Sequence, residues 1–233
     1  AGMHTDPADP TDRIVEAFPA PSFRGHQESA LGEISDAFDA GTDVLLERAP
    51  TGRGTSLLAR PILGAARPAE EAGVGDVPGA YYTTPQVSQL DDVAEDVLLE
   101  DLAVVRGKSN YYCILPDEST TVNRAPCSRD RDFDCDIKHR CPYFSDRAIA
   151  ENRRFAAMTL AYFMRTAGSE TLGPRDIVVI DEAHGLAEWA EMYATIEISP
   201  ERVPVWDDVG VPDVVADAGP EEDALDRTAR FVE

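Results

Sequence analysis

Apolar positions recur along the chain with two periods, and their order predicts the architecture. Leu31, Ile34 and Phe38 fall at helical spacing within residues 26–40, and Gly41 follows as a C-cap. Residues 44–46, Val-Leu-Leu, form a short unbroken apolar run suited to a central parallel strand buried on both faces. A helix is expected over residues 56–66, kinked or cut short at Pro61, whose ring removes a helix hydrogen bond at a cost of about 3 kcal/mol. Residues 80–84 are β-prone and end at Pro85, and Val87, Leu90 and Val93 give residues 86–98 a helical face. Residues 102–105 predict another short strand, residues 146–164 a helix with Ile149, Phe155 and Met158 toward the core, and residues 177–180 the strongest buried strand. Such alternation predicts an α/β fold with a doubly wound parallel sheet. Residues 106–145 break the periodicity and read as an inserted cysteine domain. Residues 1–20, with Pro7, Pro10 and Pro19, read as an unanchored tail. Beyond Trp189 the chain turns rich in Pro and Asp, with no further β–α alternation, and no internal repeat is visible.

Charge changes this picture in one respect. The net charge is −23, and of the 21 basic residues only Lys108 and Lys138 are lysine. Acid excess with so little lysine reads as a surface adapted to molar salt, which screens the self-repulsion. An acidic chain ordinarily avoids nucleic acid, because phosphate contacts dominate that affinity. In a halophile local arginines are the better guide. No apolar run approaches the ~20 residues that span a bilayer, and the polar start is unlike a signal peptide. A cytoplasmic protein with no membrane partner is expected. Residues 1–2, ahead of Met3, fit the edge of a longer reading frame.

Candidate chemistry sits at three places. Ala49-Pro50-Thr51-Gly52-Arg53-Gly54-Thr55-Ser56 follows the apolar run and opens a helix, which is the layout of a phosphate-binding loop. Its glycines allow close backbone approach, and Ser56 is placed to offer its hydroxyl to Mg²⁺. The pattern calls for lysine where Thr55 stands, and threonine is too short and uncharged for the β- and γ-phosphates. A Gly-rich surface turn is the plain alternative. Asp181 and Glu182 directly follow residues 177–180, placing two carboxylates at the C-terminal end of a strand, where α/β sheets bind ligands. The aspartate would hold Mg²⁺ and the glutamate would orient water, against the common alternative of a helix N-cap. Cys113, Cys127, Cys135 and Cys141 are separated by 13, 7 and 5 residues. Zinc sites usually carry a tight pair, so this spacing disfavours a zinc ribbon and better suits an iron–sulfur cluster, without settling it.

Taken together, FRGHQ (23–27), APTGRGTS (49–56), YYTTPQVSQ (81–89), GKSNYYC (107–113), CPYF (141–144) and VVIDEAH (178–184) resemble the N-terminal part of the XPD/DinG-like iron–sulfur helicases of superfamily 2, in a haloarchaeal version. The pieces occur in family order over about residues 20–190. The resemblance implies a RecA-like motor domain (21–105 plus 146–190) interrupted by a [4Fe–4S] domain (106–145), with 191–233 opening an arch-like insertion. It implies that the four cysteines hold the cluster, that Arg24 and Gln27 read adenine, that residues 49–56, Asp181 and Glu182 serve Mg²⁺–ATP, and that His184 couples the site to DNA. Thr83 and Thr84 would lie in the strand-contacting motif, and Arg106, Lys108, Tyr111 and Tyr112 are candidate contacts to single-stranded or forked DNA. The implied activity is ATP-dependent 5′-to-3′ unwinding of repair type, with the second motor domain outside this chain. Thr55 departs from the family's lysine and is expected to weaken hydrolysis by about 10²–10³-fold or more. An inactive helicase remnant that keeps the cluster and binds nucleic acid is the alternative, and a zinc-binding structural protein is a third reading.

Overall fold

In the computed structural model the described residues are 14, 17–42, 44, 55–67, 78–130, 132–166, 169 and 172–187. They contain six α-helices, α1 (Gln27–Asp39), α2 (Thr55–Gly64), α3 (Val87–Glu95), α4 (Pro126–Arg129), α5 (Pro142–Asn152) and α6 (Leu160–Thr166). The four strands are β1 (Ala80–Thr84), β2 (Ala103–Val104), β3 (Phe155–Thr159) and β4 (Ile177–Ile180). The chain divides into two compact units, Ala1–Ala183 and His184–Glu233, and the sheet belongs to the first.

Local signals account for the ends of the early helices. Gly41 adopts φ +72°, its N–H donates to the Phe38 carbonyl, and the Thr42 N–H donates to the Ala37 carbonyl. These two bonds form a Schellman motif that closes α1 as the glycine predicts. Pro61 lies inside α2, fully buried, and the helix stops at Gly64 with the Ala65 and Ala66 amides bonded three residues back. The helix thus continues three residues past Pro61 and ends two short of the expected residue 66. Gln86 and Gln89 form a capping box at the start of α3, with the Gln86 N–H donating to Gln89 Oε1 at 3.1 Å.

All strand pairs are parallel, in the order β2-β3-β1-β4. In β1 every residue is buried, and its alternation serves both faces of the sheet. Tyr81, Ala156 and Met158 pack in a cluster with Tyr111, Tyr143 and Tyr162. Tyr82, Phe155 and Ala157 pack with Ala59 and Leu63 of α2 and Leu90 and Val93 of α3. The result is a sheet covered on both sides. A third cluster joins Ile14, Leu31, Ile34 and Leu58 and ties α1 to α2.

Four expectations need correction. Ile14 is fully buried against Leu31, Ile34 and Leu58, with Phe18 packed on the same cluster, so the stretch read as an unanchored tail is anchored at these residues. Residues 146–164 do not form one helix: α5 ends at Asn152, β3 runs Phe155–Thr159, and α6 follows at once. Phe155 and Met158 sit at helical spacing, but β3 is an inner strand whose Ala156, Ala157 and Met158 are fully buried, and two-sided burial erases the period-2 signal. Val44 is 85% exposed and lies in no strand, while Leu45 and Leu46 fall outside the described residues. β4 is an edge strand among the described residues and only half buried, with Val178 exposed.

The N-terminal edge of the sheet is tied by charge. The Asp176 carboxylate accepts from the Gly79 N–H at 3.2 Å and from Arg67 Nε at 2.8 Å. The Arg175 guanidinium donates to the carbonyls of Ala80, Arg154 and Ala150 at 3.1, 3.0 and 2.6 Å and lies 4.3 Å from the centre of the Tyr81 ring. Charge-assisted bonds of this kind join β1, β3, β4 and α5 at one end. The opposite edge is left for chemistry.

Candidate functional site

The C-terminal edge of the sheet carries the carboxylate pair. Asp181 follows β4 directly, and its N–H donates to the Thr83 carbonyl at 2.9 Å, extending the β1–β4 ladder by one bond. Register sets Tyr82 opposite Val179, and Asp181 is two residues on, so both side chains share a face. The Tyr82 hydroxyl donates to Asp181 Oδ2 at 2.7 Å, and the Glu182 N–H donates to Oδ1 at 2.9 Å. Each carboxylate oxygen thus holds one donor and keeps a lone pair for another partner. Burial pushes the Tyr82 phenol well above its ordinary value, and the Asp181 charge adds to this, so the hydroxyl keeps its proton.

Glu182 takes φ +54°, a left-handed conformation that costs a residue with a Cβ roughly 1–2 kcal/mol. Strain of this sort persists where the surroundings fix it and is common at binding sites. The Glu182 side chain is exposed. His184 lies in the short 3₁₀ turn Ala183–Gly185, at the start of the second unit, and is exposed.

The phosphate-loop residues Ala49, Pro50, Thr51, Gly52, Arg53 and Gly54 lie outside the described residues. Thr55 opens α2, and Ser56 follows in its first turn, half buried. Gln27 begins α1 and is 4% exposed; its Oε1 accepts from the Arg24 N–H at 2.9 Å. That bond fixes the amide of Gln27 against the turn that precedes the helix.

The candidate strand-contacting residues divide sharply. Thr83 and Thr84 are buried, and their hydroxyls donate to the carbonyls of Val179 at 3.3 Å and Gln86 at 3.1 Å. Arg106 pairs with Asp91 of α3. Lys108 donates to Ser128 Oγ at 3.1 Å and lies 5.7 Å from the centre of the Tyr143 ring. Tyr111 is buried, and its hydroxyl donates to Asp146 at 2.9 Å and accepts from the Arg106 N–H at 3.1 Å. Burial lifts its phenol to about 12, with Asp146 adding and the Arg106 amide opposing. These residues join the cysteine-bearing segment to the sheet. Tyr112, by contrast, is 75% exposed, its backbone bridged to Thr121.

All four cysteines are free thiols; Cys141 is buried and the other three are half buried. Cys113 follows the Tyr112–Thr121 bridge, Cys127 sits in α4, Cys135 precedes the turn Lys138–Arg140, and Cys141 caps α5. Their chemistry fits an iron–sulfur cluster. Among the described residues no three His, Cys, Asp or Glu side chains form a group that could hold a single metal ion. A cleft of about 550 Å³ on this segment is lined by Ile114, Phe133, Cys135 and Arg140.

Sequence reasoning finds the carboxylates but misses Tyr82, which the pattern shows only as one residue of a β-prone run. Its role depends on β1 lying beside β4, across 99 residues of chain.

An α/β unit with a parallel sheet and a carboxylate pair at its C-terminal edge is compatible with a RecA-like fold. Residues 134–203 match the family model DEAD_2, a DEAD/DEAH-box helicase-associated domain found in XPD-like helicases. This match includes α5, β3, β4 and the carboxylate pair, and points to a helicase-type, nucleotide-dependent function on nucleic acid. No curated protein and no solved structure matches the chain. Among the described residues no helix is long and apolar enough to cross a membrane.

Proposed function

We propose that this chain carries the first motor-type domain of an ATP-dependent DNA helicase of the XPD/DinG-like iron–sulfur class, acting 5′-to-3′ in repair. The observation that carries the reading is the Asp181–Glu182 pair at the C-terminal end of a parallel strand, within the segment that matches a helicase-associated family. Ser56 and Asp181 would hold Mg²⁺, residues 49–56 the phosphates, and Arg24 and Gln27 the adenine. Glu182 would orient the attacking water, and His184 would report the nucleotide state to DNA. Cys113, Cys127, Cys135 and Cys141 would hold a [4Fe–4S] cluster, which would stiffen a segment proposed to meet DNA. Tyr112, exposed on that segment, would stack on a base. Arg106, Lys108 and Tyr111 would support that surface from beneath, given their contacts to Asp91, Ser128 and Asp146.

The reading is tested by fluorescence anisotropy of a labelled single-stranded oligothymidine in molar KCl. Binding that changes when Mg²⁺–ATP is added is the expected result. Affinity identical with and without nucleotide contradicts a motor domain.

A second reading has one observation in its favour. Thr55 stands where a phosphate-binding loop carries its lysine. A domain so altered would keep nucleic-acid binding and lose hydrolysis, as a cluster-bearing binding module.

A further inference from the structure

Asp181 is held on both sides before any ligand arrives. Tyr82 supplies a hydroxyl to Oδ2 at 2.7 Å, and the backbone of Glu182 supplies an N–H to Oδ1 at 2.9 Å. The Tyr82 ring is 2% exposed and lies in the cluster formed with Ala59, Leu63, Leu90 and Leu99. Its hydroxyl is therefore placed by packing rather than by the carboxylate it meets. The second donor is fixed independently, by the left-handed backbone at Glu182. Two donors on opposite oxygens stop rotation of the carboxylate plane. A carboxylate has about four lone-pair positions, so one on each oxygen is left over.

We propose that Tyr82 is a positioning residue that sets the plane of the Asp181 carboxylate for a hydrated Mg²⁺. This rests on the reading of Asp181 as the Mg²⁺-holding residue. Metal ligands oriented by an outer hydrogen bond lose affinity when that bond is removed, typically by about 10–100-fold. Tyr82 takes this outer place from a neighbouring strand. It also makes the site sensitive to the β1–β4 pairing, since a shift of either strand would withdraw the hydroxyl.

The test uses the full chain and its Tyr82→Phe and Asp181→Asn variants. Binding of a fluorescent ATP analogue is measured with Mg²⁺ and with a chelator in its place. The phenylalanine keeps the ring and its packing and removes only the hydroxyl. The expected result is that Tyr82→Phe weakens the Mg²⁺-dependent affinity by about tenfold or more and leaves the metal-free affinity unchanged. Equal weakening with and without Mg²⁺ would mean a structural role and overturns the proposal. Asp181→Asn losing Mg²⁺ dependence while Tyr82→Phe matches the unaltered chain overturns the positioning role alone. Asp181→Asn matching the unaltered chain, or no nucleotide binding by the unaltered chain and by Thr55→Lys alike, removes the Mg²⁺ reading and the proposal with it; where only Thr55→Lys binds, the same two substitutions are compared in that background.

Discussion

Replacing Gly79 by alanine is expected to destabilise the protein severely. A Cβ at this position would lie 2.0 Å from the carbonyl oxygen of Arg154 and 2.9 Å from its carbon. The obstacle is backbone, so no side-chain rotation relieves it. Neither partner can retreat. The Gly79 carbonyl accepts from the Asp176 and Ile177 amides at 3.0 and 3.3 Å, and its N–H donates to the Asp176 carboxylate. The Ala80 N–H donates to that same Arg154 carbonyl at 3.1 Å. Relief would have to separate β1 from β3 or β4 at the end where Arg175 and Asp176 tie them. The cost is expected to exceed about 4 kcal/mol, a large part of the roughly 5–15 kcal/mol that holds a domain folded. Gly32 in α1 is the control: a Cβ there meets nothing within 4 Å, so alanine should stabilise by about 0.5–1 kcal/mol. Urea unfolding followed by circular dichroism in molar KCl measures both. A Gly79→Ala midpoint close to that of the unaltered chain contradicts the packing described at this edge.

The second large effect is expected at Cys113. Under the proposed cluster assignment, removal of one of the four thiolate ligands releases the cluster, and metal binding is also folding energy for the segment around it. Cys113→Ser, purified without oxygen, should lose essentially all of its iron and the visible absorption of the iron–sulfur chromophore. The segment from Arg106 to Cys141 has little regular structure, mostly single turns and the four-residue α4, so it has few backbone ladders to fall back on. It should become more susceptible to protease, while the sheet of the same unit stays resistant. Full iron content in Cys113→Ser would remove this cysteine from the ligand set. Zinc in place of iron in the unaltered chain would favour the zinc-binding structural reading.

The parts of the fold that were legible in the sequence are those whose signal is local. β1 ran as expected, bounded by Pro85, and α1 ended at Gly41 through backbone bonds that only a left-handed residue allows. β3 was hidden because Phe-Ala-Ala-Met-Thr is an inner strand built of small and flexible residues. Alanine favours helices, and an apolar run buried on both faces carries no alternation to oppose that preference. The site divides in the same way. Asp181 and Glu182 announce themselves at a strand end. The hydroxyl on Asp181 and the Arg175 ties depend on which strands are neighbours, and no spacing in the chain encodes that adjacency. Tyr111, marked by its aromatic ring as a nucleic-acid contact, is instead an internal post, because its hydroxyl finds Asp146 across 35 residues. The cysteine spacing leaves the ligand chemistry open and says nothing of convergence.

The two ends of the sheet thus have different tasks. Gly79, Arg154, Arg175 and Asp176 fix the N-terminal end, and the rigidity they provide is what lets Tyr82 and Asp181 hold a set geometry at the other. That division gives the nucleotide reading its physical basis: a strained Glu182, a preset Asp181 and a helix beginning at Thr55 all belong to the same unit.

Calorimetric titration of Mg²⁺–ATP into this chain and into Thr55→Lys, in molar KCl, tests that reading most directly. The account predicts that Thr55→Lys binds, and binds more tightly than the unaltered chain by about tenfold or more, because the added ammonium would meet the phosphates of the proposed loop. Absence of binding heat in both proteins would contradict it, and the nucleotide site would have to be withdrawn.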